Sequence, residues 1–153
     1  MSKLSDKALQ IAITQIGQDE KPHGSNWGEP VKSYLASVGL NFQASWCMAF
    51  VYWCYGKAAT SLKVPNTAIK SGGVLHVWNT APKEYRATKP SIGSIFIMDF
   101  GKGLGHTGIV ERFDDTFIYT IDGNTNDTGG REGIEVCRKR RARASIKGYL
   151  NYP

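Results

Sequence analysis

Cys47 and His106 are far apart in the chain, and together they hold the side chains that thiol acyl transfer requires. A thiolate attacks a carbonyl carbon, and an imidazole returns a proton to the leaving group. The flanking residues say more than the pair alone. Ser45-Trp46-Cys47-Met48-Ala49-Phe50-Val51 reads as a loop turning into a buried helix. Gly105-His106-Thr107-Gly108-Ile109-Val110-Glu111 reads as the start of a strand. Ile121-Asp122-Gly123-Asn124-Thr125-Asn126 reads as the end of the next one. Nucleophile, base and orienting group follow in that chain order.

A cysteine in the first turn of a helix faces unsatisfied N–H groups and the positive end of the dipole, and both favour thiolate. The same N–H groups can meet the oxygen of a tetrahedral intermediate. Cys54, seven residues on, falls in mid-helix and is assigned to the core. The small neighbours of His106 leave room for a substrate and for an imidazole–thiol contact. Asp122 and Asn124 point the same way at strand period. Either could fix the tautomer of His106, Asp122 more strongly through a charge-assisted hydrogen bond. Asp-Gly-Asn-Thr-Asn is also turn chemistry, which does not conflict with that role.

Other candidates are weaker. His23 lies in a polar loop and is expected to be exposed. His76, beside Val77 and Trp78, is expected to pack. Asn26-Trp27 either contacts substrate or anchors the second helix. Trp46 is either a wall of the cleft or a core plug.

Helices should carry the cysteine and strands the histidine. Ser5 suits the N-cap of a first helix through about Gly17, with Ala8, Leu9, Ala12, Ile13 and Ile16 as its apolar stripe. Pro30 suits the first turn of a second, with Val31, Tyr34, Leu35 and Val38 in register and Gly39 as its stop. Trp46 through Tyr55 is dense enough to be a buried helix, left at Gly56. Residues 66–90 suggest a short helix around Ala68 and a loop holding Trp78, Pro82 and Tyr85. Strands are expected from Pro90 onward: one through Ile92, Ile95, Ile97 and Phe100, then Thr107–Phe113, Thr116–Asp122, Gly133–Arg140 and Ile146–Tyr152, with Asp114-Asp115 as a turn. Helices first and an antiparallel sheet of about five strands second is an α+β arrangement.

A length of 153 residues favours one domain, 1–153, with a core that needs no metal or disulfide staple. No cofactor is expected. Cys47, Cys54 and Cys137 form no metal-ligand spacing, so no metal is expected either. Their odd count leaves at least one thiol free; a Cys54–Cys137 bond stays open, and buried free cysteine is the commoner state. The net charge of +6 favours acidic partners. Arg138, Lys139, Arg140, Arg141 and Arg143 concentrate that charge, and a solvated strand face is the first reading of such a run. No finger, zipper or RNA-binding signature accompanies it, so sequence-specific nucleic-acid binding is not expected. No apolar run reaches the length of a membrane span, and Met1-Ser2-Lys3-Leu4-Ser5-Asp6 has no apolar core of a signal peptide.

At these residues the chain resembles the CHAP family, cysteine/histidine-dependent amidohydrolases and peptidases related to papain. Trp46-Cys47-Met48-Ala49-Phe50-Val51, the Gly105–Glu111 block and Asp122-Gly123-Asn124-Thr125-Asn126 carry the resemblance. Pro90-Ser91-Ile92-Gly93-Ser94-Ile95 resembles the family's Pro-x-x-Gly-Asp-Ile entry to the first strand, with Ser94 where Asp is usual. Asn26-Trp27-Gly28 and the Tyr34-Leu35 helix are also similar to bacterial and phage members. The resemblance implies a papain-like fold, Cys47 as nucleophile and His106 as base. The third position maps to Asp122, with Asn124 as a further polar member. It implies cleavage of an amide bond of peptidoglycan, within the stem peptide or at the muramoyl-L-alanine link. Trp46 and Asn26 would then be candidate substrate contacts. The alternative is a non-catalytic wall- or partner-binding module on the same scaffold. A monomer is expected, made in the cytoplasm without a recognisable signal peptide. It would act in the periplasm or cell wall after delivery by another route. As a phage lysis or tail protein it would use a hole made by others. As an injected effector it would imply an immunity protein.

Overall fold

A computed structural model describes residues 2–125 and 134–153. Among these residues, four α-helices precede a six-stranded antiparallel sheet, an α+β arrangement. The helices are α1 (Lys3–Thr14), α2 (Val31–Ser37), α3 (Cys47–Leu62) and α4 (Val74–Thr80). The strands are β1 (Arg86–Ala87), β2 (Ile95–Gly101), β3 (Leu104–Phe113), β4 (Phe117–Thr125), β5 (Glu135–Ala142) and β6 (Gly148–Leu150). Their spatial order is β1-β6-β2-β3-β4-β5. β2 to β5 form a meander, and β6 returns to lie beside β2. Asn126 and Gly133, at the ends of two segments read from the sequence, lie outside the described residues.

α3 is buried along most of its length, from Cys47, Met48, Ala49, Phe50 and Val51 to Cys54, Tyr55, Ala58 and Ala59. It packs against α1, α2 and the strands β3 and β4. The sequence reading ended this helix at Gly56; it runs to Leu62 and stops on Lys63, whose φ of 57° is left-handed. Ala58 and Ala59 continue the buried stripe, and that burial outweighs the roughly 1 kcal/mol cost of an internal glycine. α1 is capped by Ser2, whose hydroxyl accepts the Ser5 N–H at 3.0 Å. Ser5, expected at the cap, is instead buried inside the first turn, where the Tyr55 hydroxyl reaches it at 3.1 Å. Trp78 belongs to α4 rather than to a loop, and no helix forms around Ala68. β1 is the additional strand, pairing with β6 through Arg86 and Ala87.

Away from the register shifts in β2–β3, β3–β4 and β4–β5, the sheet's side chains alternate between two faces. Ile95, Ile97, Ile109, Ile121, Val136 and Leu150 join the helices in the main core. Phe96, Met98, Val110, Ile118 and Tyr149 form a second cluster on the opposite face. Gly93, with φ of +85°, turns the chain into β2; an added Cβ there would lie 2.9 Å from the Ser5 side chain. Ser94 closes that turn in place of an Asp, accepting the Ser91 N–H at 3.2 Å and donating to the Ser91 carbonyl at 2.6 Å. Among the described residues, no helix is long and apolar enough to cross a membrane. All three cysteines are free.

Candidate active site

Cys47 is the first residue of α3. The helix begins there because the chain before it is fastened to the end of β4: Asn124 Oδ1 accepts the Trp46 N–H at 3.1 Å. Trp46 itself is fully buried, stacked on Tyr34 at 5.6 Å, and its indole N–H donates to Glu20 at 2.7 Å. It is therefore a core plug and not a cleft wall. Cys47 keeps 4% of its surface while Cys54 keeps none, so of these two residues on α3 it is Cys47 that reaches solvent. Burial pushes the Cys54 thiol well above its ordinary value.

His106 lies near the start of β3, paired across the sheet with Met98 on β2. Its register places it on the same face as Phe96, Gly108 and Asp122. Nε2 lies 3.1 Å from Asp122 Oδ2, with both side chains buried. The other nitrogen, Nδ1, is buried and, among the described residues, within hydrogen-bonding distance of no partner. Burial works against a charged imidazole. The hydrogen bond that His106 donates to Asp122, then the interactions with the Cys47 thiol and the Asp122 charge, outweigh it and push His106 up to about 9. For Asp122, burial favours the neutral acid, but His106, Arg141 and Thr120 overcome it and hold the carboxyl below its usual value. An ionised Asp122 can only accept, so Nε2 carries a proton and Nδ1 is the atom left for chemistry.

Gly108 makes room for this pair. An added Cβ would overlap Asp122 Oδ1 and lie 2.8 Å from both the Ile121 carbonyl and the Phe96 ring. Thr120 donates its hydroxyl to Asp122 Oδ1 at 2.6 Å. Arg141 donates to Oδ2 from Nη2 at 2.6 Å and from Nε at 3.0 Å.

The candidates read from the sequence thus separate. Cys47, His106 and Asp122 come together. Asn124 has a φ of 57°, and the β4–β5 register shifts between Asp122 and Thr125, so strand period two fails there. Its carboxamide ties β4 to the start of α3. Asn26 is half-buried in the loop before α2, also at a left-handed φ of 56°, and Trp27 packs beside the main core. His23 is exposed and pairs with Asp19 at 2.8 Å. His76 is exposed on α4, not packed as expected. Among the described residues, no group of three or more His, Cys, Asp or Glu is placed to hold a metal ion.

Three residues around the site escaped the sequence reading. Thr120 and Arg141 share the Asp122 face by strand alternation, a signal present in the sequence but masked by the surrounding charge run. Glu20, 1% exposed, carried no such signal. The charge run itself is dispersed: Arg138 pairs with Glu111 at 3.0 Å, Arg140 lies over Phe117 at 4.3 Å, and Arg141 turns inward.

The CHAP domain family model matches residues 39–124, more than half of the chain. No curated protein matches the sequence. Solved structures share the fold, three of them as follows. The endolysin LysIME-EF1 has a TM-score of 0.60 at 17% identity, covering 100% of this chain and 65% of that one. Ly7917 has a TM-score of 0.58 at 16% identity, covering 97% of this chain and 62% of that one. A second Ly7917 structure, described as holding the hydrolyzing product of MDP, has a TM-score of 0.54. The chain therefore spans less than two thirds of the length of these structures.

Proposed function

The chain belongs to the CHAP domain family, and from that membership we propose that it is a peptidoglycan hydrolase using Cys47, His106 and Asp122. The observation that carries this reading is the buried His106–Asp122 pair, 3.1 Å apart, with Cys47 at the first residue of α3 near enough to help raise the imidazole. Likeness of fold to an endolysin supports the same substrate class. The bond cut is an amide, in the stem peptide or between muramic acid and L-alanine.

In the proposed reaction the Cys47 thiol passes its proton to His106 Nδ1, and the sulfur adds to the amide carbonyl carbon. Backbone N–H groups at the start of α3, which lack intrahelical acceptors, face the oxygen as it gains charge. The carbon–nitrogen bond breaks as His106 gives its Nδ1 proton to the leaving amine. The same nitrogen then takes a proton from water, whose oxygen attacks the thioester carbon; the carbon–sulfur bond breaks and releases the acid and the Cys47 thiolate beside the protonated imidazole. Asp122 keeps Nε2 protonated throughout, so each proton passes through Nδ1. Asn124 holds the cysteine-bearing helix to the strand that carries Asp122.

The test is digestion of purified sacculi of several peptidoglycan types, with fragments read by mass spectrometry, for wild type and Cys47→Ala. New fragments from wild type alone are expected, and their masses locate the bond. Equal digestion by Cys47→Ala, or no fragments from any sacculus, would overturn the reading; in the second case wall binding without turnover would leave a non-catalytic module.

A further inference from the structure

We propose that Arg141 is a positioning residue for the site, holding Asp122 in the orientation and charge state that His106 requires. The inference rests on the proposed roles of Cys47, His106 and Asp122. Arg141 stands on the edge strand β5, opposite Ile118 in the β4–β5 register. Its neighbours in sequence, Arg140 and Ala142, are exposed, whereas the Arg141 side chain keeps only 10% of its surface. Two of its nitrogens, Nη2 at 2.6 Å and Nε at 3.0 Å, grip one oxygen of a carboxylate with no exposure at all. That oxygen, Oδ2, is the one that faces His106 Nε2. The guanidinium also lies over the Phe96 ring, 5.5 Å from its centroid, and Phe96 in turn flanks His106 at 6.0 Å. Oδ1 is fixed separately by Thr120. Asp122 is therefore held at both oxygens, and it cannot rotate away from the imidazole without losing a charge-assisted bond in a dry setting.

Two consequences follow for the imidazole. Orientation comes from the two-nitrogen grip, which a lysine at the same place would reduce to a point charge. Electrostatic restraint comes from the charge itself. Arg141 shares the carboxylate that stabilises imidazolium and adds a like charge nearby, so it keeps His106 from being more basic still. The groups facing His106 and Asp122 are Cys47 from α3, Thr120 from β4, and Arg141 with Cys137 and Lys139 from the same face of β5. β2 presents Phe96 and Met98 on this face, neither of which titrates.

The experiment compares wild type, Arg141→Met and Arg141→Lys by sacculus turnover and by two readouts that need no wall substrate. One is the NMR titration of the His106 imidazole. The other is the pH dependence of Cys47 alkylation by iodoacetamide, assigned to Cys47 by peptide mass spectrometry. Arg141→Met should raise the His106 midpoint by about one unit, with the alkylation profile moving by the same amount. Arg141→Lys should keep the midpoint within a few tenths of wild type. It should slow Cys47 alkylation and sacculus turnover about fivefold or more, since a single charge replaces the fork, with KM unmoved. A merely structural latch on β5 would change melting temperature and leave both pH profiles in place, and that result overturns the proposal. If Arg141→Met does not fold, Arg141→Lys decides alone: wild-type alkylation and turnover in that variant overturn it. Arg141-dependent profiles in a protein that digests no sacculus would overturn the hydrolase reading and leave this one standing.

Discussion

Replacing Asp122 by asparagine keeps the side chain's shape and removes its charge, which isolates what the carboxylate does for His106. In the native protein burial disfavours the imidazolium, yet the Asp122 hydrogen bond, the Cys47 interactions and the Asp122 charge push it up to about 9. Without the carboxylate, burial remains and Arg141 is left as an uncompensated like charge beside the ring. The midpoint should then fall below 6.5, the ordinary histidine value. At pH 7 the native ring is protonated roughly 100 to 1, whereas in Asp122→Asn about one ring in four or fewer is charged. A displacement of this size corresponds to about 3 kcal/mol. NMR titration of the His106 ring reads the midpoint directly. Stability gives an independent check. A histidine whose folded midpoint lies above its unfolded one stabilises the fold fully below about pH 6.5, and that contribution disappears as pH rises through about 9. The native melting temperature should therefore decline across that window, and the decline should be absent in Asp122→Asn. A His106 midpoint at or above 8 in Asp122→Asn would refute the reasoning, because it would mean that Asp122 is not what holds the charge.

Two further substitutions probe the scaffold around the site. Gly108→Ala places a methyl group on Asp122 Oδ1 and 2.8 Å from the Ile121 carbonyl and the Phe96 ring; it should cost about 1–3 kcal/mol in urea unfolding and lower the His106 midpoint. Asn124→Ala leaves the buried Trp46 N–H without its 3.1 Å acceptor and puts alanine at a left-handed φ; a loss of about 1–3 kcal/mol and slower Cys47 alkylation are expected, measured by thermal unfolding and peptide mass spectrometry.

Much of the site was legible because its signals are local. The apolar density from Trp46 to Tyr55 announced a buried helix, with Cys47 in its first turn after the short connection that precedes it. Strand alternation put His106 and Asp122 within reach of each other once β3 and β4 were taken as neighbours. Alternation also misled at Asn124, where a left-handed residue and a shifted register redirect the side chain to the start of α3. Arg141 was hidden for a different reason: within a run of five cations, the one that turns inward looks like the others. Trp46 could not be placed from sequence, since its burial depends on Tyr34 from α2 and on Glu20 from a loop.

Which residue types carry the chemistry, their order along the chain, and an α+β division with helices before strands were all readable from local sequence. Those follow from side-chain identity and from periods of two and 3.6, which are properties of short segments. The tertiary structure decided which polar groups meet. It set Asp122 rather than Asn124 against His106, brought Arg141 from the far edge of the meander onto the same oxygen, and extended α3 past Gly56 because Ala58 and Ala59 had a core to fill. These are contacts between segments distant in sequence, and their energies depend on burial, which no local pattern contains.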